Sequence, residues 1–175
     1  VKKGHIDRPC DDRGSLNIKD IFLVPQRVYM VLGSLGDQIT YPLIIRKGKR
    51  TKADEDKMLN CLKLVGIDFL VKRENGFDTV KKWEDTLSLG EQQRLAMSRL
   101  FFHKPSFGVL DECTSAVSQD VEENLYKNAN KDGITCITIS QRLALEEFHT
   151  QELHLGANTP NGWTLRNIKR LQNQT

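Results

Sequence analysis

Residues 87–120 read LSLGEQQRLAMSRLFFHKPSFGVLDECTSAVSQD, and the fold turns on this stretch. Ser88 is a good helix N-cap, and the run behind it is rich in helix formers with apolar residues at helical spacing. Gly90 lets the backbone approach a ligand closely, so the open N–H groups and helix dipole at this end suit a phosphate. Lys104-Pro105-Ser106 breaks the helix. Phe107-Gly108-Val109-Leu110 then fits a short buried parallel strand, which ends on two adjacent carboxylates, Asp111 and Glu112. Ligands of open α/β sheets sit beyond the carboxyl ends of such strands. Two acids there predict one that holds Mg²⁺, through its waters, and one that serves an attacking water. The plainer alternative is a capped amphipathic helix followed by a core strand whose last residues happen to be acidic. It explains neither the Ser-x-Gly entry nor the paired carboxylates.

The chain has 175 residues, enough for one domain with a real core, and its 38% hydrophobic and 28% charged residues are ordinary for a globular protein. A net charge of +3 is too small to imply nucleic-acid binding. No apolar run approaches the ~18 residues of a membrane span. The 4 cysteines, Cys10, Cys61, Cys113 and Cys136, form no C-x-x-C pair and read as reduced core thiols of a cytosolic compartment. The histidines show no metal spacing. The chain opens on Val1 rather than Met, which suggests a fragment.

Upstream of the deciding stretch, residues 1–19 are polar and read as a loop. Asp20–Val24 is a short apolar strand stopped by Pro25, with Gln26 next; a Gln in that position is by itself usually a turn residue. The basic run Arg46–Lys52 has no interleaved aromatics to stack bases and reads as a solvated loop. Met58, Cys61, Leu62 and Val65 recur at helical spacing and are ended by Gly66, and Asn75-Gly76 marks a turn. Downstream, a helix is predicted over about 119–131, ended by Gly133, with Asp120, Glu122 and Glu123 near its positive end. A β-branched strand over 134–140, a helical turn over 143–148 and a hairpin from Glu152 to Arg166 follow.

LSLGEQQR followed by FGVLDECTSA resembles the signature motif and Walker B strand of an ATP-binding cassette (ABC) ATPase, and IFLVPQRVYMVLGSLGDQITYP resembles the family's Q-loop. The resemblance covers nearly all of the 175 residues. It implies an α/β, P-loop NTPase-like fold: a mostly parallel sheet core (about 1–40 and 101–175), a helical subdomain carrying the signature (about 41–100) and a C-terminal β-hairpin. It implies ATP and Mg²⁺ as cofactors, and a head-to-tail pair with a second nucleotide-binding domain. Ser88, Gly90 and Glu91 would bind the ATP of the opposite cassette, with Ser118 and Asp120 in the loop that follows. Asp111 and Gln26 would hold Mg²⁺, Glu112 would be the general base, and Gln26 and Gln141 would complete the catalytic set. Transmembrane domains, the sole membrane contact, would be sensed through the Gln26 loop. WEDTLSLGEQQRLAMSRLFFHKPSFGVLDECTSAVSQDVEE, with SQRLALEEFHTQELHL, is similar to subfamily D, the peroxisomal transporters of fatty acids and fatty acyl-CoA. That similarity implies a place at the cytosolic face of the peroxisomal membrane.

The chain departs from the family in four places. No G-x-x-x-x-G-K-[ST] string exists; Gly48-Lys49 lacks the earlier glycine because position 43 is Leu43. The resemblance is thus to the last two-thirds of a nucleotide-binding domain. Leu89 stands for a Gly and Glu91 for a Gln in the signature, and Ser118 stands for an Asp, with Asp120 two residues on. Gln141 stands where the family usually has a His. Two other readings carry their own signals: a non-catalytic piece that only supplies its signature helix to a partner, and a soluble cassette ATPase of DNA repair or translation. An amide hydrogen-bonds a phosphate but carries no charge near neutrality. Gln141→His in the full-length protein is therefore expected to change ATP turnover, and an unaltered rate would refute that role.

Overall fold

The computed structural model describes residues 15, 17–45, 48–156 and 162–168. Cys10, Arg46, Lys47 and the polar residues 1–14 lie outside the described residues. The chain divides into two compact units, Val1–Ile139 and Ser140–Thr175.

The first unit is built on a parallel three-stranded sheet in the order β1 (Ile21–Val24), β2 (Phe107–Asp111), β3 (Thr135–Ile139). Leu23, Val109 and Ile137 stand in register, as do Ile21, Phe107 and Thr135. β2 alternates exposed and buried residues, with Gly108 and Leu110 turned inward. The opposite face carries Leu23, Phe107, Ile137 and Ile139, all substantially exposed, so within the described residues it is bare apolar surface. Parallel sheets are ordinarily covered on both faces.

Three helices start on the same device. A Ser or Thr N-cap accepts from the backbone N–H three residues on, and an acid there accepts from the N-cap N–H, which satisfies two orphan donors at once. Ser34 with Asp37 starts α1 (Leu35–Thr40), Thr51 with Asp54 starts α2 (Lys52–Leu64), and Ser88 with Glu91 starts the longest, which spans Leu89–His103. Between them lie the short α3 (Phe69–Arg73) and α4 (Trp83–Thr86), which makes the long helix α5. α6 (Gln119–Lys131) leads to β3. The expected helix ends hold: Gly66 and Gly133 adopt positive φ, and Lys104 closes α5 in the left-handed conformation.

α5 is buried all round from Leu95 to His103. It packs against α1 and α2 on one side and β1 on the other. His103 stacks on Phe22 of β1 at 5.3 Å and pairs through Nε2 with the Tyr41 carbonyl at 2.8 Å. Burial holds its pKa below the ordinary range. Cys61 and Cys113 are buried free thiols, their pKa values pushed by burial up to about 11 and about 12.

The second unit holds a 3₁₀ helix (Leu143–Phe148) and an antiparallel hairpin of β4 (Gln151–Leu155) and β5 (Trp163–Asn167). Arg166 ties them together, bridging Glu146 at 2.9 Å and Glu152 across the strand pair.

Leu110 is fully buried while Ile137 faces outward at 48% exposure. Leu110→Ala is expected to cost the chain about 2–5 kcal/mol. Ile137→Ala, followed in the same urea titration, is expected to cost under about 1 kcal/mol.

Candidate nucleotide-binding site

The parallel register builds one end of the site. Val24 pairs with Leu110, so the chain leaves β1 through Pro25 and Gln26 at the same sheet edge where β2 ends in Asp111 and Glu112. Gln26 is exposed; both acids are half-buried. An amide oxygen and a carboxylate at such an edge are hard oxygen donors, which is what Mg²⁺ takes. The donor set fits, although no group of three or more His, Cys, Asp or Glu residues able to hold a metal occurs among the described residues. Glu112 has φ 44° and donates its N–H to the Ile139 carbonyl at 3.0 Å. A non-glycine residue rarely sits there, and such strain persists where the surroundings over-determine it, often at functional positions.

The N-terminus of α5 forms the other part. Ser88 Oγ accepts the Glu91 N–H at 3.3 Å, and Glu91 Oε2 accepts the Ser88 N–H at 2.8 Å. The second Glu91 oxygen takes Arg73 Nη1 at 2.6 Å. Burial raises the Glu91 carboxyl pKa, and the Arg73 pair and Ser88 N–H outweigh it, leaving the group below its ordinary value. Both oxygens of Glu91 are therefore engaged inside the cassette.

The two parts are joined through Gln93, which is 1% exposed. Its Oε1 accepts the Ala116 N–H at 2.8 Å and its Nε2 donates to Ser115 Oγ at 2.9 Å. The loop behind the carboxylates is thereby held against the signature helix. Gly90 completes the contact: a Cβ there would lie 2.8 Å from the Ala116 carbonyl oxygen. The packing against the Ala116 carbonyl requires a glycine here irrespective of any ligand. Gly90, Arg94, Ala116, Val117, Ser118 and Val121 line an open cleft of about 180 Å³, which brings Ser118 beside the signature. Arg94 is fixed there by the carbonyls of Gly66 at 3.0 Å and Gly90 at 3.3 Å. Ser118 is the N-cap residue of α6, and Asp120 is exposed in its first turn. Gln141 is exposed and lies in the second unit, two positions past the end of β3.

The loop after Gln26 is held by residues that sequence reasoning missed. The side chain of Gln38 in α1 is fully buried; it accepts the Val31 N–H at 2.9 Å and donates to the carbonyls of Val31 and Ser34. Arg99 of α5 donates to the Gln38 carbonyl at 2.6 Å and lies over the Tyr41 ring at 5.3 Å, with burial lowering its pKa to about 10. Trp83 donates to the Gly33 carbonyl at 2.8 Å, so it packs on this loop's end. The Ser34-x-x-Asp37 spacing was the available signal for α1.

A family profile described as "ABC transporter" matches residues 8–115. The chain belongs to the ABC transporter family. Within it, the similarity is to subfamily D. The chain is 46% identical to "ABC transporter D family member 1" of Arabidopsis thaliana over 89% of its own length and 13% of that protein's. It is 45% identical to "ATP-binding cassette sub-family D member 3" of Rattus norvegicus over 87% of its length and 22% of that protein's. At 38% identity it also matches the "Lysosomal cobalamin transporter ABCD4" of Homo sapiens, covering 25% of it. Among solved structures, a bacterial Atm1-family ABC exporter with ATP bound superposes with TM-score 0.63 at 25% identity, over 77% of this chain and 23% of that one. The chain thus spans a quarter or less of these relatives, and what it contains is an ABC nucleotide-binding cassette with its α/β fold.

Because Gly90 abuts backbone rather than a yielding side chain, Gly90→Ala is expected to destabilise the chain by about 1–3 kcal/mol. Hydrogen exchange should speed at the Ala116 amide, the one Gln93 holds.

Proposed function

We propose that this cassette binds and hydrolyses ATP as one half of a head-to-tail pair in a transporter that moves long-chain fatty acids or fatty acyl-CoA across the peroxisomal membrane from the cytosolic side. The observation that carries the reading is the sheet edge: the register pairs Val24 with Leu110, so β1 ends two residues before Gln26 beside the strand that leads into Asp111 and Glu112, and Gln93 fastens the loop beyond the acids to the signature helix. Bound Mg²⁺, held by Asp111 and Gln26, would neutralise phosphate charge. Glu112 orients the attacking water and takes its proton, Gln141 hydrogen-bonds the terminal phosphate, and Ser88 and Gly90 receive the phosphate carried by the opposite cassette. Glu91 contributes through the cap, and Ser118 and Asp120 line the approach between cassettes. Residues of about 41–100 form the helical subdomain, with about 1–40 and 101–175 as the catalytic core.

The phosphate-cradling loop is not in this sequence, and the bare sheet face supports its position. We infer that a P-loop-bearing segment of the complete cassette covers Leu23, Phe107, Ile137 and Ile139. Tyr29, Leu32 and Ile44 are exposed on the loops flanking α1 and offer apolar surface to transmembrane domains. The substrate and the peroxisomal address rest on the motif resemblance to subfamily D.

A second reading is favoured by the missing P-loop string alone: a binding piece that lends its signature helix to a complete partner. Immunoblotting the native protein separates the two, since a membrane-bound species far above 20.0 kDa supports the transporter and a soluble one of 20.0 kDa supports the binding piece. In the assembled transporter, Glu112→Gln is expected to cut ATP turnover at least about 100-fold while ATP binding persists. Full turnover in that variant would remove Glu112 from the chemistry.

A further inference from the structure

An acid in the first turn of α5 poses an electrostatic problem. A helix N-terminus is a good anion site because its N–H groups and dipole present positive potential. Glu91 is the acidic residue of that turn, 8% exposed, and it occupies the Ser88 N–H with one carboxylate oxygen. Left alone, its charge would repel an incoming phosphate in a poorly solvated place. Arg73, at the last position of α3, meets the other oxygen at 2.6 Å through Nη1 and reaches Glu74 at 2.6 Å through Nε. Glu74 is 2% exposed, and its second oxygen takes Lys81 Nζ at 2.6 Å. Lys81, Glu74, Arg73 and Glu91 form one chain of alternating charge. It carries no net charge, and it ends at the helix terminus.

We propose that Arg73 is a positioning residue for the nucleotide: it neutralises Glu91, so that the terminal phosphate of ATP held on the opposite cassette can dock at Ser88 and Gly90. The inference rests on the ATP-binding reading above and adds a residue from α3 to it. Its chemistry is distinct from a mere tie between α3 and α5, because charge balance can be restored without the tie. E91Q keeps an acceptor for the Ser88 N–H and removes the negative charge, leaving Arg73 nothing to neutralise.

The test is ATP-dependent turnover of the assembled transporter carrying R73A, R73K, E91Q and the double variant R73A/E91Q. R73A is expected to raise the half-saturating ATP concentration about three- to tenfold, with turnover at saturation little changed. R73K, which keeps the charge, should stay near the unmodified protein and shows that substitution at this position is tolerated. The double variant should return close to the E91Q value. Two results overturn the proposal: R73A with unaltered ATP dependence, or a double variant as weak as R73A, which is what a purely structural tie would give. Unmodified transporter without ATP-dependent turnover would instead sink the ATPase reading and this proposal with it. Thus the two failures are told apart before any variant is compared.

Discussion

The burial of α5 on every side from Leu95 to His103 is the constraint on which the rest depends. A helix with one apolar stripe can shift or tilt on its support; one wrapped by α1, α2 and the sheet has a single seat. Its polar buried residues sharpen that seat. Arg99 is tied to the Gln38 carbonyl, His103 to the Tyr41 carbonyl, and Gln93 to Ser115 and Ala116. Arg99 and His103 reach the end of α1 while Gln93 reaches the loop after Glu112, so a rotation of the helix that keeps one set would break the other. Buried polar groups that lose their partners cost far more than the bonds contribute when made. The N-terminal end of α5 therefore inherits its direction from contacts along the whole helix.

The same logic explains how side chains distant in sequence meet at one edge. Parallel pairing puts the ends of β1 and β2 together without any contact between Gln26 and the two acids having to specify it. What the pairing leaves open is the aim of Glu112. Its left-handed backbone turns the chain sharply off the strand, and the N–H bond to Ile139 secures that turn to the neighbouring strand. The strain is supported on one side by β3 and on the other by the loop that Gln93 holds.

Much of this was legible in the sequence because the strongest signals are local. The capped start at Ser88, the Lys104 break, the Asn75-Gly76 turn, the β-branched run of β3 and the hairpin all depend on neighbours within a few residues. α1 escaped notice because it has only six residues and follows a motif that drew the reading to Gln26. Gln38, Gln93 and Arg99 escaped for a deeper reason. Their partners lie in segments up to 61 residues away, and a buried polar side chain carries no periodic mark that distinguishes it from a solvated one. Glu91 was legible as a signature residue but not as half of a cap and half of an ion pair.

Gly90 has a packing cause beside the one expected from the sequence. Close approach of a ligand needs a residue without Cβ, yet the Ala116 carbonyl would exclude a Cβ in the absence of any ligand. The glycine expected for binding is thus one that packing already requires. The helix end proposed to meet phosphate is the one that meets the loop after the carboxylates. A movement of that loop at Ala116 would bear directly on Gly90 and Gln93 within one cassette. Under the proposed pairing, the half-site a cassette builds for its own nucleotide and the half-site it lends to its partner would be mechanically one object. That union requires no contact beyond a carbonyl, an amide and a missing methyl group.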